Sequence, residues 1–398
     1  MISATFPYPP TLGGTPVRTF NLLKHLSQNH TVTLVTQRSE EVPDTDVDAL
    51  RQCVDHLKVF PRPSGEHLRP GLRGKLGRFA RFAATARPPS VNYIASPDLQ
   101  AWVDQWVTSG KGEVVTCEHS VNEVFVQRHH RQHLRKVVID IHSSLYGTLL
   151  NQLQTGTAEK PLRDTLSLPL MRRYERRFAR KFTDLVLTTE EDRRFFAPLA
   201  RQAPLHVVAN GVDLASFPYR SQDPGGQELV FVGAMDYIAN VDTAQFLAKT
   251  LLPALQKRYP QSRLTLVGAK PTAAVQALAD LPGVAVTGRV PSVVEYLHRA
   301  TVCVVPMRIG YGIKNKTLEA MAAGVPVVAS DRGLEGLDVE RPLRALRANT
   351  LEDYVNAISQ LFEDAALRVT LAQNARRLIE EQFTWQRAGE KYEQILLS

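Results

Sequence analysis

Short apolar runs alternate along the chain with segments whose apolar residues recur every three or four positions. Residues 31–36, 113–117, 136–141 and 183–188 are rich in Val, Ile and Leu with few polar breaks, the pattern of parallel strands covered on both faces. Amphipathic segments lie between them. One opens at Thr15 and Pro16, residue types suited to an N-cap and first helical turn, and carries Val17, Phe20, Leu23 and Leu26 toward His30. The second half repeats the alternation, with strands at 229–233, 264–268, 284–288 and 302–306 and helices at 241–255, 293–299, 351–362 and 366–381. Strand, helix, strand repeated through both halves predicts an α/β protein made of two doubly wound domains. At 398 residues the chain is also longer than one core usually serves. The joint is expected near Ala209 to Asp213. Three strands of the second half end in glycine (Gly233, Gly268, Gly288), which puts these residues on the sheet edge where doubly wound folds bind ligands.

Residues 312–330 read as loop, short helix, glycine stop and buried strand. Leu318, Ala320, Met321, Ala322 and Ala323 form the helix, Gly324 sits at C′, and Pro326 prevents continuation. Lys314 and Lys316 lie where this helix begins, the unfavourable end for a cation because the peptide dipoles already leave positive charge there. An anion would relieve the conflict, and free N–H groups plus two ammonium groups suit a phosphate. Glu319, one turn further in, would repel that phosphate unless it has another task, such as accepting hydrogen bonds from a pair of sugar hydroxyls. The same spacing also fits a Lys316/Glu319 surface ion pair.

Composition narrows the class. Apolar and charged fractions of 43% and 22% are those of an ordinary globular protein. No apolar run approaches the ~20 residues a membrane span needs, and residues 1–7 lack the basic and apolar regions of a signal peptide, so a cytoplasmic location is expected. Cys53, Cys117 and Cys303 have no metal-type spacing and read as buried reduced thiols. The formal net charge of +8 is concentrated in two places. Seven basic residues against Glu66 fall between Pro61 and Ser90, and six against Glu175 between Met171 and Lys181. Both clusters imply an acidic partner.

The motifs resemble glycosyltransferase family 4. They are Gly13-Gly14, Ala209-Asn210-Gly211-Val212-Asp213, Phe231-Val232-Gly233, Leu266-Val267-Gly268, Gly288-Arg289-Val290, Val305-Pro306, and the run from Leu318-Glu319-Ala320 to Val327-Val328, in family order from about residue 5 to residue 335. The resemblance implies the GT-B fold, two Rossmann-like domains facing a central cleft. It assigns residues 1–205 to the acceptor-binding domain, 206–375 to the nucleotide-sugar domain, and 376–398 to a terminal helix packing back on the first. It implies retaining transfer of a sugar from a nucleotide-sugar donor by front-face displacement, without a metal or other cofactor. Carried over, Glu319 binds the donor ribose, Lys316 the diphosphate, and Gly233 and Gly14 let backbone approach the phosphates. Val290 passes near the base, and Gly268 and Asn240 belong to the same donor site. His142, in Asp140-Ile141-His142, matches the acceptor-side histidine, with His119 a second candidate; His142, Lys316 and Glu319 form the catalytic set. Two positions depart from the family. Tyr311 stands where a second glutamate is usual, and residues 234–242 lack the usual Arg and Lys, so positive charge is expected from Arg308, Lys314 and Lys316. Asp44-Thr45-Asp46, formally an Asp-X-Asp, reads as a helix start. The chain also begins close to the first loop, with little of a first strand before Ser3.

The acceptor reading rests on the basic clusters. Between Leu72 and Ala86 apolar residues recur at helical spacing beside Arg73, Lys75, Arg78 and Arg81, with Phe79 on the apolar side; this stretch is expected to touch an anionic membrane. Met171, Tyr174, Phe178 and Phe182 form a second stripe, expected to pack on the domain's own core. Aromatic residues are too few and too regularly placed for nucleic-acid binding. The resemblance extends to the bacterial branch of galactolipid and exopolysaccharide transferases, and points to cyanobacterial-type digalactosyldiacylglycerol synthesis with UDP-galactose as donor and monogalactosyldiacylglycerol as acceptor. A polysaccharide transferase acting on a lipid-linked oligosaccharide, a nucleotide-sugar epimerase and a non-catalytic sugar-nucleotide-binding partner protein remain the alternatives.

Overall fold

The computed structural model describes residues 1–10, 13–63, 82–200, 203–310 and 312–398. The chain forms two compact units, Met1–Ala209 with Ala388–Ser398, and Asn210–Arg387. The expected divisions at 205/206 and 375/376 thus fall at 209/210 and 387/388. The helix Ala365–Gln382 stays with the second unit, because Leu371, Ala372, Ala375, Leu378 and Ile379 are buried there, and only the chain after it returns to the first.

The first unit is built on a parallel sheet of β1 (Ile2–Ser3), β2 (Thr33–Arg38), β3 (His56–Pro61), β4 (Val114–Glu118), β5 (Lys136–Ile141), β6 (Asp184–Leu187) and β7 (Leu205–Val207). Their order is β3-β2-β1-β4-β5-β6-β7. The second unit has β8 (Glu228–Val232), β9 (Arg263–Val267), β10 (Val284–Val286), β11 (Val302–Val305), β12 (Val327–Ala329) and β13 (Leu346–Arg347), in the order β10-β9-β8-β11-β12-β13 and again parallel. In each sheet the order in which strands are added reverses once, between β1 and β4 and between β8 and β11. Beyond the C-terminal ends of those strands lies the crevice where such sheets bind ligands.

Helices cover both sheets. Tyr174, Phe178 and Phe182 are fully buried in the first core, so the second expected stripe does pack inward. The helix expected to open with Thr15 as N-cap and Pro16 as its first residue begins two residues earlier, at Gly14 with Gly13 in the cap position, and ends at Leu26. Its buried face is Pro16, Arg18, Thr19, Leu22, Leu23 and Leu26, rotated from the expected one so that Val17 and Phe20 are only half-buried. In the second unit, helix begins at Ile238 rather than 241, and its turn widens over Leu247–Leu251 before Pro253. A proline there cannot donate to the preceding turn, and its ring displaces the regular bonding. Asp44 and Asp46 lie in the first turn of the helix Asp44–Arg51, as expected for a helix start. Cys117 and Cys303 are buried free thiols, and Cys53 is half-buried.

Candidate functional site

In the second unit the chain leaves β8 at Gly233, whose N–H donates to the Val267 carbonyl at 3.0 Å. Gly268, at the end of the neighbouring β9, allows that approach: a Cβ there would lie 1.8 Å from the Gly233 oxygen. A Cβ on Gly233 itself would lie 2.7 Å from Asn240 Nδ2 and 2.8 Å from Lys316 Nζ. Three elements therefore converge on this backbone. The helix Ile238–Phe246 supplies Asn240, and the helix Asn315–Ala322 supplies Lys316 and Glu319. Lys316 Nζ donates to Asn240 Oδ1 and sits 4.3 Å from the ring centroid of Phe231 on β8. Asn240 Nδ2 donates in turn to the Ala234 carbonyl at 2.8 Å, tying the ammonium to the loop after β8.

Burial dominates the electrostatics. It pulls the Lys316 ammonium down to about 7, although Cys303 and Glu319 favour its charged form. It pushes the Glu319 carboxyl up to about 7 against the pull of Lys316. Among the described residues the two make no ion pair, so the surface-pair alternative does not hold. The helix Asn315–Ala322 begins without a side-chain cap and without an acid in its first turn. An anion placed here would meet open N–H groups and a lysine whose charge it would restore.

The two other expected cations are already engaged. Lys314, mostly buried, donates to the Gly312 carbonyl and lies 3.3 Å from Glu335 Oε2. Arg308 pairs through its guanidinium with Asp242 and is half-exposed. The structure thus separates the expected triad into two paired residues and Lys316. Val290 is half-buried in the loop after β10, and Asn210 Nδ2 donates to Asn315 Oδ1 at 2.8 Å, fixing the first turn of the lysine-bearing helix. Tyr311 lies outside the described residues.

A second polar cluster lies at the switch point of the first sheet. Asp140, fully buried on β5, is gripped by Arg18 at 2.6 Å and 2.8 Å. Burial opposes its ionisation, but Arg18 and then His142 outweigh that and hold the carboxyl well below the usual range. Glu118, ending β4, has no such partner; burial, then Asp140, push it up to about 8, and Tyr392 of the C-terminal helix donates to it at 2.9 Å. His142 follows β5, with Nδ1 3.3 Å from Thr15 Oγ1 and Nε2 3.3 Å from Asp140 Oδ2. His119 packs edge-on against His142 at 5.1 Å and adopts φ +74°, an uncommon conformation for a non-glycine residue. Burial, then His142, lower its pKa to about 3, so it is a neutral imidazole. Gly14 opens the helix that carries Thr15 and Arg18, with nothing within 4 Å of an added Cβ. The structure thus brings His142 and His119 together.

Glu118, Asp140 and His142 offer ligand atoms within 4.8 Å of one another, but Arg18 already occupies Asp140. Asp104, His129 and His130 form a similar group, in which His130 already uses Nε2 for Asp104 and Nδ1 for the Gln127 N–H. Sequence reading gave no role to Arg18, Glu118 or Tyr392, and had Phe231 only as part of the Phe231-Val232-Gly233 motif. Asp140 was the available signal for Arg18, since an acid inside an apolar strand must find a cation. Tyr392, more than 250 residues from Glu118, left no such trace.

The basic residues Arg73, Lys75, Arg78, Arg81 and the accompanying Phe79 lie outside the described residues. No helix among the described residues is long and apolar enough to cross a membrane.

Residues 12–216, just over half of the chain, match the family described as Glycosyltransferase Family 4. Residues 226–364 match Glycosyl transferases group 1. No curated protein matches the chain. Among solved structures, sucrose-phosphate synthase from Thermosynechococcus elongatus is 18% identical with a TM-score of 0.69, covering 99% of this chain and 96% of that one. HepE from Anabaena, solved with UDP and glucose, is 15% identical with a TM-score of 0.65 over 100% and 98%. WaaG, a glycosyltransferase involved in lipopolysaccharide biosynthesis, is 15% identical with a TM-score of 0.62 over 96% of each. At these identities the structures share the fold, two parallel-sheet Rossmann-like domains of the GT-B class. The chain belongs to glycosyltransferase family 4 and is a glycosyltransferase of the GT-B fold.

Proposed function

We propose that the protein is a retaining hexosyltransferase that takes galactose from UDP-galactose and adds it to a membrane glycolipid. The carrying observation is the second-unit site, where Lys316 is held by Asn240 and Phe231 against Gly233, with Glu319 one turn further along the same helix. Lys316 and the helix N-terminus would take the donor diphosphate, and Glu319 the ribose hydroxyls. HepE, solved with UDP and with UDP-glucose, supports the uridine nucleotide. In the first unit, His142 would orient hydroxyls of the transferred sugar or the acceptor, with His119 a neutral neighbour.

No carboxylate pair of the retaining-glycosidase kind is assigned, so the chemistry is front-face displacement. The bond from the anomeric carbon to the diphosphate oxygen breaks as the acceptor oxygen bonds to the same face, and the departing diphosphate takes the acceptor's proton. Catalysis is positioning plus stabilisation of the developing phosphate charge by Lys316 and backbone N–H groups, with no metal required. The basic sequence clusters support an acceptor in an anionic membrane, reached by peripheral association from the cytoplasm. WaaG, involved in lipopolysaccharide biosynthesis, supports a glycolipid acceptor, and TarM of S. aureus, solved with UDP and α-GlcNAc-glycerol, again supports the uridine nucleotide.

The test mixes the protein with labelled UDP-galactose or UDP-glucose and anionic liposomes, with and without monogalactosyldiacylglycerol. Label entering the lipid only when acceptor is present, and lost in Glu319→Gln, is the expected result. Equal labelling in Glu319→Gln would refute the donor site; transfer only to soluble or polyprenyl-linked acceptors would refute the glycolipid assignment.

A further inference from the structure

The helix Pro161–Phe178 has two different faces. Tyr174 and Phe178 enter the core, and its two acids go with them: Asp164 is 5% exposed and Glu175 0%. Glu175 accepts from the Ser144 hydroxyl and from the Leu145 N–H at 2.8 Å. With both acids inside, the solvent side keeps only neutral and basic groups. Leu162, Leu166, Pro169, Arg173 and Arg176 follow one another at alternating steps of four and three and are all exposed, which places them on one stripe. Leu162 is 86% and Leu166 65% exposed, the two most exposed large apolar side chains among the described residues. Arg172 flanks the stripe, also exposed.

We infer that this stripe is a docking surface for an anionic lipid membrane. The inference rests on the membrane acceptor proposed above but assigns the contact to a different segment from the basic stretch at 62–87. A leucine pair one turn apart is too small for a stable protein interface, which needs about 800 Å² per partner. Two leucines entering the acyl boundary beside arginines at headgroup level suit a lipid surface, where apolar insertion and charge attraction reinforce each other. The complementarity is one-sided, since the helix's own acids are turned away from the surface.

The test is co-sedimentation of the full chain with vesicles of phosphatidylglycerol and phosphatidylcholine, and of phosphatidylcholine alone. Wild type is compared with Leu162→Glu/Leu166→Glu and with Arg173→Glu/Arg176→Glu. Unfolding midpoints and UDP binding are measured on each variant to show that both units are intact, and transfer to detergent-dispersed acceptor is measured in parallel. The expected result is binding to the anionic vesicles, weakened tenfold or more by either double substitution, with UDP binding unchanged. Vesicle binding equal to wild type in both variants, or no wild-type binding to anionic vesicles, would overturn the inference. Loss of self-association in the leucine variant with vesicle binding intact would also overturn it, making the stripe a contact between copies. Transfer to dispersed acceptor in any of these cases would leave the proposed function standing, whereas vesicle binding without transfer would remove that function and keep the surface.

Discussion

Lys316 donates to Asn240, and Asn240 holds the Ala234 carbonyl, so one amide joins the ammonium to the loop after β8. That loop carries none of the Arg and Lys that the family resemblance leads one to expect at 234–242. The arrangement makes Asn240 a positioning residue for Lys316.

Asn240→Ala should therefore raise the KM for the sugar donor roughly tenfold while changing kcat less, since a hydrogen bond to a charged group contributes about 1.5–3 kcal/mol. Asn240→Asp should give a different signature. An aspartate would pair with Lys316, raise its pKa and repel the diphosphate, so donor KM should rise while the alkaline limb of the pH profile moves upward. Steady-state kinetics across pH for both variants checks this.

Donor binding should be bell-shaped in pH with both limbs near 7. Lys316 titrates at about 7 in the free protein, so raising the pH above that removes the ammonium that meets the diphosphate. Glu319 also titrates at about 7, so lowering the pH below that protonates the acceptor of the ribose hydroxyls. The limbs belong to the interacting pair rather than to either residue alone. Calorimetric titration of UDP-hexose in buffers of different ionisation enthalpy should show net proton uptake on binding at pH 8, because the diphosphate restores the Lys316 charge.

Gly268→Ala should damage the second unit more than an ordinary surface change. The new Cβ would meet the Gly233 carbonyl oxygen at 1.8 Å, and β8 and β9 must separate to admit it. Overpacking of a core costs about 1–3 kcal/mol, and a backbone obstacle puts this position at the upper end. A lower denaturant midpoint with weakened UDP binding is the expected outcome.

In the first unit, Arg18→Met should destabilise by about 3–5 kcal/mol, because it leaves Asp140 buried without its cation. Arg18→Met with Asp140→Leu should recover much of that loss. Denaturant unfolding of the single and double variants forms the cycle that checks it.

The sequence pattern located most strands inside the sheets and the edge strand β10, but not the edges β3, β7 and β13 or the two-residue β1, and the reasons are burial and length. β5 and β11 lie inside their sheets, covered on both faces, and read as continuous apolar runs. β3, β7 and β13 are edge strands of mixed or partial exposure, so their residues carry no such run. The donor-side residues were legible for a similar reason. Gly233, Gly268 and Lys316 obey local rules of strand ends and helix starts, and their neighbours in sequence announce them. The partners that decide what those residues do were not legible. Asp242 holding Arg308 and Glu335 holding Lys314 depend on where separate loops meet, which no local pattern encodes.

The most direct measurement is calorimetric titration of UDP into the full chain, comparing wild type with Lys316→Met and Glu319→Gln. The account predicts one site in wild type and at least tenfold weaker binding in each variant, with unchanged unfolding midpoints. UDP affinity equal to wild type in both variants would contradict the account, because it would place the nucleotide away from Lys316 and Glu319.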